Sequence, residues 1–247
     1  MAAPYRGVLF DLFGTLVTVD ADRLPELELD GVRHRTKMGA LAPALAAWVP
    51  GVSLADFARA LRAVSDELAR ARAVDHVELP SRERFRRALG RVGCADDVLA
   101  EAAVDLSRAH MALVAAATVL PPAHAELLAA LAPGYRLGVV TNFDDTATAY
   151  AILVRHGIAR AFDTVVISEG LGLRKPHPAV ARAGLRGLRL AAGEVLLVGD
   201  TYAEDVAAAH AAGLDAAWID ARGQGVPEGA APPRWVLRAL PELAALL

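Results

Sequence analysis

Cysteine occurs once in this 247-residue chain, at Cys94. No disulfide can form within the chain, which suits a reducing compartment and makes a cytoplasmic location the expectation. Lysine is nearly absent: Lys37 and Lys175 stand alone among 26 lysines and arginines. Arginine is therefore this chain's ordinary cation, and a retained lysine hints that a compact ammonium is wanted rather than a guanidinium fork. Lys37, taken alone, needs no such reason. Asparagine is rarer still, present only as Asn142. No long basic run occurs and the net charge is −3, so the footprint of a nucleic-acid binder is missing. No apolar stretch reaches membrane-spanning length without a charge or a breaker. An apolar run already begins at Val8, so the expectation is that no secretory signal precedes the fold. The expected partner is a small molecule, neither nucleic acid nor membrane.

What is present is material for a sizeable core. Hydrophobic residues make up 55% of the chain and charged residues 22%, with a mean hydropathy of +0.34, which argues against disorder. Short apolar runs bounded by polar or glycine residues predict buried strands over Val8–Asp11, Leu137–Thr141, Thr164–Ser168, Val195–Asp200 and Ala216–Asp220. Between the last four lie helical patterns over Thr146–His156, Pro178–Leu188 and Ala203–Ala212, with Gly157 and Gly213 placed as C-terminal caps. Alternation of this kind reads as a parallel sheet covered on both faces. The stretch from Thr18 to Ala117 breaks it. Helical periodicity there covers Leu41–Trp48, Leu54–Arg72, Arg82–Val92 and Asp96–Val114, with breaks at Pro50-Gly51, Pro80 and Gly93. It reads as an all-helical insertion, and Pro121-Pro122 marks the return. The tail Trp235–Leu247 reads as a short strand and a closing helix.

In open parallel sheets, ligands bind beyond the carboxyl ends of the strands. The residues expected there are polar. The first run ends in Asp11, the second in Thr141-Asn142 and the fourth in Gly199-Asp200-Thr201, while Lys175 follows the third in Arg174-Lys175-Pro176. Each residue also has a plain structural reading. An Asp after a strand caps a helix or shapes a turn, Thr141-Asn142 can open a helix, and Lys175 can be a loop cation. Asp200 and Asp205 can be a helix cap and a first-turn acid, as Asp144, Asp145 and Glu204 are taken to be. Their joint placement on one sheet edge is what favours a site.

Four segments together, Asp11-Leu-Phe-Gly-Thr15, Val-Thr141-Asn142, Lys175-Pro176 and Gly199-Asp200-Thr-Tyr-Ala-Glu-Asp205, resemble the haloacid dehalogenase-like (HAD) hydrolase superfamily in order and in loop position. The resemblance implies a Rossmann-like, doubly wound α/β fold with sheet order 3-2-1-4-5. Residues 1–17 and 118–247 would form the core, and 18–117 a helical cap inserted after the first motif. It implies a nucleophile, Asp11, which attacks a phosphoryl group and splits a hard displacement into two steps through an aspartyl-phosphate. Lys175 would neutralise charge, Thr141 would donate its hydroxyl, and Asn142 stands beside it in the same motif. Magnesium, which prefers oxygen ligands, would take Asp11, the backbone carbonyl of Phe13 and Asp200, with Asp205 in support directly or through water.

One position departs from the family pattern. Phosphatases of this superfamily usually carry an Asp two residues after the nucleophile, which protonates the leaving group and then activates water. Here it is Phe13, which can do neither. The metal site survives, because a backbone carbonyl does not depend on the side chain. His34 or His76 of the insertion could lend a proton, although nothing in the sequence places either near Asp11. The related 2-haloacid dehalogenases carry Tyr at the Phe13 position and use no metal, so carbon–halogen hydrolysis through an aspartyl ester is the alternative. Against it, those enzymes resemble Ser-Ser-Asn-x-x-Asp where this chain reads Gly199-Asp200-Thr201-Tyr202, and carry a Tyr where it has Ala181. Phosphonoacetaldehyde hydrolases also lack the second Asp and use a cap lysine, a role open in principle to Lys37. A phosphate-binding protein of impaired turnover is the non-enzymatic alternative. The expectation carried forward is a magnesium-dependent phosphatase of a small phosphorylated metabolite.

Overall fold

The apolar runs do form a sheet. In the computed structural model, which describes residues 5–29 and 31–247, six strands lie in the order β3-β2-β1-β4-β5-β6. They are β1 (Gly7–Phe10), β2 (Arg136–Thr141), β3 (Thr164–Ile167), β4 (Val195–Gly199), β5 (Asp215–Ile219) and β6 (Trp235–Leu237). All pairings are parallel. The expected order 3-2-1-4-5 is therefore present, lengthened at one edge by the tail strand. β1 and β4 are buried along their whole length, which is why their sequences are continuous apolar runs rather than alternating ones. The anticipated ends differ from the observed ones by a residue: Asp11, Ser168, Asp200 and Asp220 fall just beyond their strands, where ladder pairing stops and side chains are released to the sheet edge.

Helices cover the sheet. Pro178–Leu188 lies against Leu9 and Val140, and it approaches so closely that a Cβ on Gly184 would stand 2.7 Å from Leu9 Cδ1. Gly213 closes Ala207–Ala212 at φ +80°, the left-handed cap the sequence suggested. That helix is preceded by a π-helical turn over Tyr202–Val206 rather than by a regular first turn. Such turns recur at functional sites. The tail closes with a helix as expected, a 3₁₀ helix over Leu240–Ala245.

The chain divides into two compact units, Met1–Thr18 with Val119–Leu247, and Val19–Thr118. Residues 1–4, included in the expected core, lie outside the described residues. The second unit has its own core, built from Phe57, Leu61, Val64, Phe85, Leu89 and Leu106 among others, each such side chain contributing about 1.5–3 kcal/mol on burial. These residues recur at helical spacing on Leu54–Asp75, Ser81–Arg91 and Leu99–Ala117, beside a shorter helix, Ala42–Trp48. The expectation of an all-helical insertion is corrected by an antiparallel hairpin, Glu26–Leu29 with Val32–Arg35. Its strands alternate charged with apolar or aromatic residues, the period-two pattern that helix spacing does not satisfy. Among the described residues no helix is long and apolar enough to cross a membrane.

Candidate active site

Parallel register brings the strand ends level. Phe10 pairs with Val139 on one side and Val198 on the other, so Asp11 emerges beside Val140 and Gly199. The Asp11 amide still donates to Val198 O at 2.9 Å, which anchors the residue although its side chain has left the strand. The chain then turns sharply, with Leu16 N and Val17 N both donating to Leu12 O. Gly14 sits in this turn at φ +85°, and a Cβ there would lie 2.2 Å from Asp200 Oδ2. Only glycine lets the first loop approach the fourth-strand carboxylate this closely.

Lys175 is the centre of the arrangement. Only 1% exposed, its Nζ donates to Asp11 Oδ1 at 2.6 Å, to Asp205 Oδ1 at 2.6 Å and to Val140 O at 2.9 Å. All three protons of the ammonium are thus placed, an arrangement suited to a point charge and not to a planar guanidinium. The rarity of lysine in the sequence has its counterpart here.

Asn142 supports this geometry from behind. Its Oδ1 accepts from Lys175 N at 2.7 Å and its Nδ2 donates to Lys175 O at 3.0 Å, so the amide side chain is committed to the lysine's own peptide groups. Thr141, by contrast, is buried, and its Oγ1 has no hydrogen-bond partner among the described residues. A buried hydroxyl of this kind costs stability unless a ligand completes it. Thr15 Oγ1, in the segment that follows Asp11, is in the same condition; its residue type alone marks it for no role. The Val140 carbonyl and the Thr201 amide were beyond sequence reasoning altogether, since backbone groups leave no residue-type signal.

Three carboxylates converge, with one oxygen from each of Asp11, Asp200 and Asp205 lying within 4.8 Å of the others. Asp205 is fully engaged: Oδ1 accepts from Lys175, and Oδ2 accepts from Thr201 N at 2.9 Å. Burial pushes the Asp11 carboxyl up, opposed by the Lys175 ammonium and assisted by Asp200. Asp205 is pushed up to about 6 by burial, with Lys175 opposing. Burial and then the Asp205 charge raise Asp200. For Lys175, burial acts to lower the pKa, and the carboxylates of Asp11 and Asp205 together outweigh it and hold it above its ordinary value. One buried ammonium facing three carboxylates leaves an excess of negative charge. An all-oxygen donor set with that excess fits a hard divalent cation. Asp11 and Asp200 are the better placed to hold it, because both Asp205 oxygens already accept hydrogen bonds.

Phe13 gives this edge an apolar wall. Its ring packs on that of Phe143 at 4.7 Å between centroids, tilted by 36°. Phe143 is fixed through its backbone, its N–H donating to Ser168 Oγ at 2.8 Å. Other residues considered from sequence have local roles. Asp145 caps Thr146–Arg155 by accepting from Thr148 N. Glu204 pairs with Arg174 at 3.0 Å. Ala181 is a buried helix residue. His76 is the left-handed cap of Leu54–Asp75, His34 faces Leu27 in the hairpin, and Lys37 opens a 3₁₀ turn; all three belong to the second unit.

Comparison with known proteins bears on the family and the fold. A family model described as haloacid dehalogenase-like hydrolase matches residues 5–213. A phosphoglycolate phosphatase of Rhodospirillum rubrum is 43% identical over 128 residues, covering 51% of this chain and 52% of that protein. A pyrimidine 5'-nucleotidase of Escherichia coli is 35% identical over 127 residues, covering 51% and 56%. The chain thus spans about half the length of the curated relatives it matches. Among solved structures, a 2-haloacid dehalogenase from Pseudomonas syringae superposes with a TM-score of 0.70 at 22% identity, covering 98% of this chain and 97% of that one. At that identity the likeness is one of fold.

Proposed function

The chain belongs to the haloacid dehalogenase-like hydrolase family, and from that premise we propose that it is a magnesium-dependent phosphatase of a small phosphorylated metabolite. The observation that carries the reading is the charge of the site: Asp11, Asp200 and Asp205 converge on one another, with Lys175 as their buried cation. That excess would repel a carboxylate-bearing haloacid in a metal-free site, and a phosphoryl dianion would need a divalent cation, held by these carboxylates, to offset it. Magnesium, held by Asp11, the Phe13 carbonyl and Asp200 with Asp205 in support, would supply charge neutralisation at the phosphoryl oxygens.

The chain's own residues do the rest. Lys175 fixes Asp11 through Oδ1, which orients the carboxylate, and its second oxygen attacks phosphorus. The P–O bond to the leaving group breaks and an aspartyl-phosphate forms on Asp11. Water then cleaves the acyl phosphate, returning the carboxylate and inorganic phosphate. Thr141 Oγ1 donates to a phosphoryl oxygen, which completes the hydroxyl now lacking a partner. Asn142 holds the Lys175 peptide in register. Phe13 supplies no proton, so leaving groups that depart without one are favoured.

The test is magnesium-dependent release of phosphate from an aryl phosphate, lost in Asp11→Asn. Metal-independent halide release from 2-chloropropionate would overturn the reading in favour of a dehalogenase. Absence of turnover on both, with beryllofluoride still bound, would mark a phosphate-binding protein.

A further inference from the structure

A recess of about 640 Å³ opens at the carboxyl ends of β4 and β5, within the first unit. Its wall includes Gly14 and Asp200 of the site, and Arg222 and Gln224 of the loop that follows β5. That volume is in the range of small-molecule sites, about 300–1,000 Å³, and exceeds what a phosphoryl group alone needs. The wall is set in advance. Tyr202 stands edge-on to Trp218 at 5.4 Å, Tyr202 Oη donates to Ala231 O at 2.6 Å, and Trp218 Nε1 donates to Asp200 O at 3.0 Å.

The loop is set as well. Asp220 accepts from Gln224 N at 2.8 Å and Gly225 N at 3.0 Å, and Arg238 Nη1 donates to Asp220 O at 3.0 Å. Those bonds satisfy the Asp220 carboxylate and hold the loop without using the Arg222 guanidinium. Arg222 is exposed, is the one basic side chain of the recess wall, and has no ion-pair or hydrogen-bond partner among the described residues. A pre-ordered loop thus presents an uncommitted guanidinium to a recess whose wall includes Asp200, the kind of group that pairs strongly with an anion.

We propose that the recess takes the leaving group of the phosphate ester and that Arg222 selects leaving groups bearing a second anionic group, carboxylate or phosphate. This rests on the phosphatase reading and deepens it. A guanidinium fork matches either anion in two-point contact, whereas an uncharged alkyl group would gain nothing from it.

The experiment compares short ω-carboxyalkyl phosphates, their ω-phosphoryl counterparts and uncharged alkyl phosphates of equal length. In the parent protein, kcat/KM is expected to be higher for one or both charged series, and the series with the higher value identifies the anion. Arg222→Ala should lower the charged-to-uncharged ratio of kcat/KM by about tenfold, chiefly through KM, and Arg222→Lys should restore part of it. An unchanged ratio would overturn the proposal. If no ester is hydrolysed, the phosphatase reading falls by itself, and the recess is tested by calorimetry with the matching phosphonates in the presence of magnesium. Weaker binding of the charged phosphonate by Arg222→Ala, relative to the uncharged one, then supports the subsite; equal loss or none refutes it.

Discussion

Lys175→Met keeps the length of the buried side chain and deletes its charge. In the parent, the ammonium is 1% exposed and makes two carboxylate contacts of 2.6 Å. Removing one partner of a buried ion pair costs about 3–5 kcal/mol. With two carboxylates stranded, the upper part of that range is expected, about 4–5 kcal/mol, out of a total on the order of 5–15 kcal/mol. The loss should depend on pH. A carboxyl whose folded pKa lies above its unfolded value stabilises fully below the unfolded value and loses that contribution as pH rises through the folded one. Burial already puts Asp11 and Asp205 in this class, Asp205 at about 6. Without the ammonium both move further up. The variant's deficit should therefore be greatest at neutral and alkaline pH and should shrink toward acid, where both carboxyls take protons. Urea midpoints of parent and variant, measured without divalent metal at about pH 8 and about pH 5, read this directly. A deficit under about 1 kcal/mol at the higher pH, or one of equal size at both, would refute the electrostatic account of the site.

Phe13→Asp should raise turnover of alkyl phosphates, by up to about 10²–10⁴-fold if proton transfer to the leaving group limits the parent; an unchanged or lower rate would show that Phe13 is not the bottleneck. Gly14→Ala forces a Cβ to within 2.2 Å of Asp200 Oδ2 at a φ of +85°, so a loss of about 1–2 kcal/mol is expected in thermal unfolding. Asp200→Asn should abolish the rise in melting temperature on adding magnesium, whereas a conserved rise would move the metal elsewhere. Asn142→Ala removes both bonds to the Lys175 peptide; kcat should fall more than KM changes, and the reverse pattern would make Asn142 a substrate contact.

Part of this molecule is legible in residue order alone. A parallel sheet must be buried on both faces, so its strands print themselves as unbroken apolar runs, and polar residues at their ends mark the rim. That logic reaches Asp11, Thr141, Lys175 and Asp200 and the existence of five strands of the sheet, whose order was implied by the family resemblance. It does not reach the hairpin at Glu26–Leu29 and Val32–Arg35, whose short alternating strands lie next to strongly helical sequence. Nor does it reach the π-helical turn at Tyr202–Val206, since a single inserted residue leaves helix spacing almost intact.

The division of labour at the site belongs to the fold. Asn142 and Asp205 carry residue types that fit a ligand-binding role, and residue type cannot tell a ligand contact from a support. Distances can: the Asn142 amide is committed to the Lys175 peptide, and both Asp205 oxygens accept hydrogen bonds. Among the described residues, the Thr141 and Thr15 hydroxyls have no partner. The physical reason is that local sequence sets which groups arrive at the sheet edge, while hydrogen-bond saturation, which depends on neighbours distant in the chain, sets which of them are left to act on a substrate.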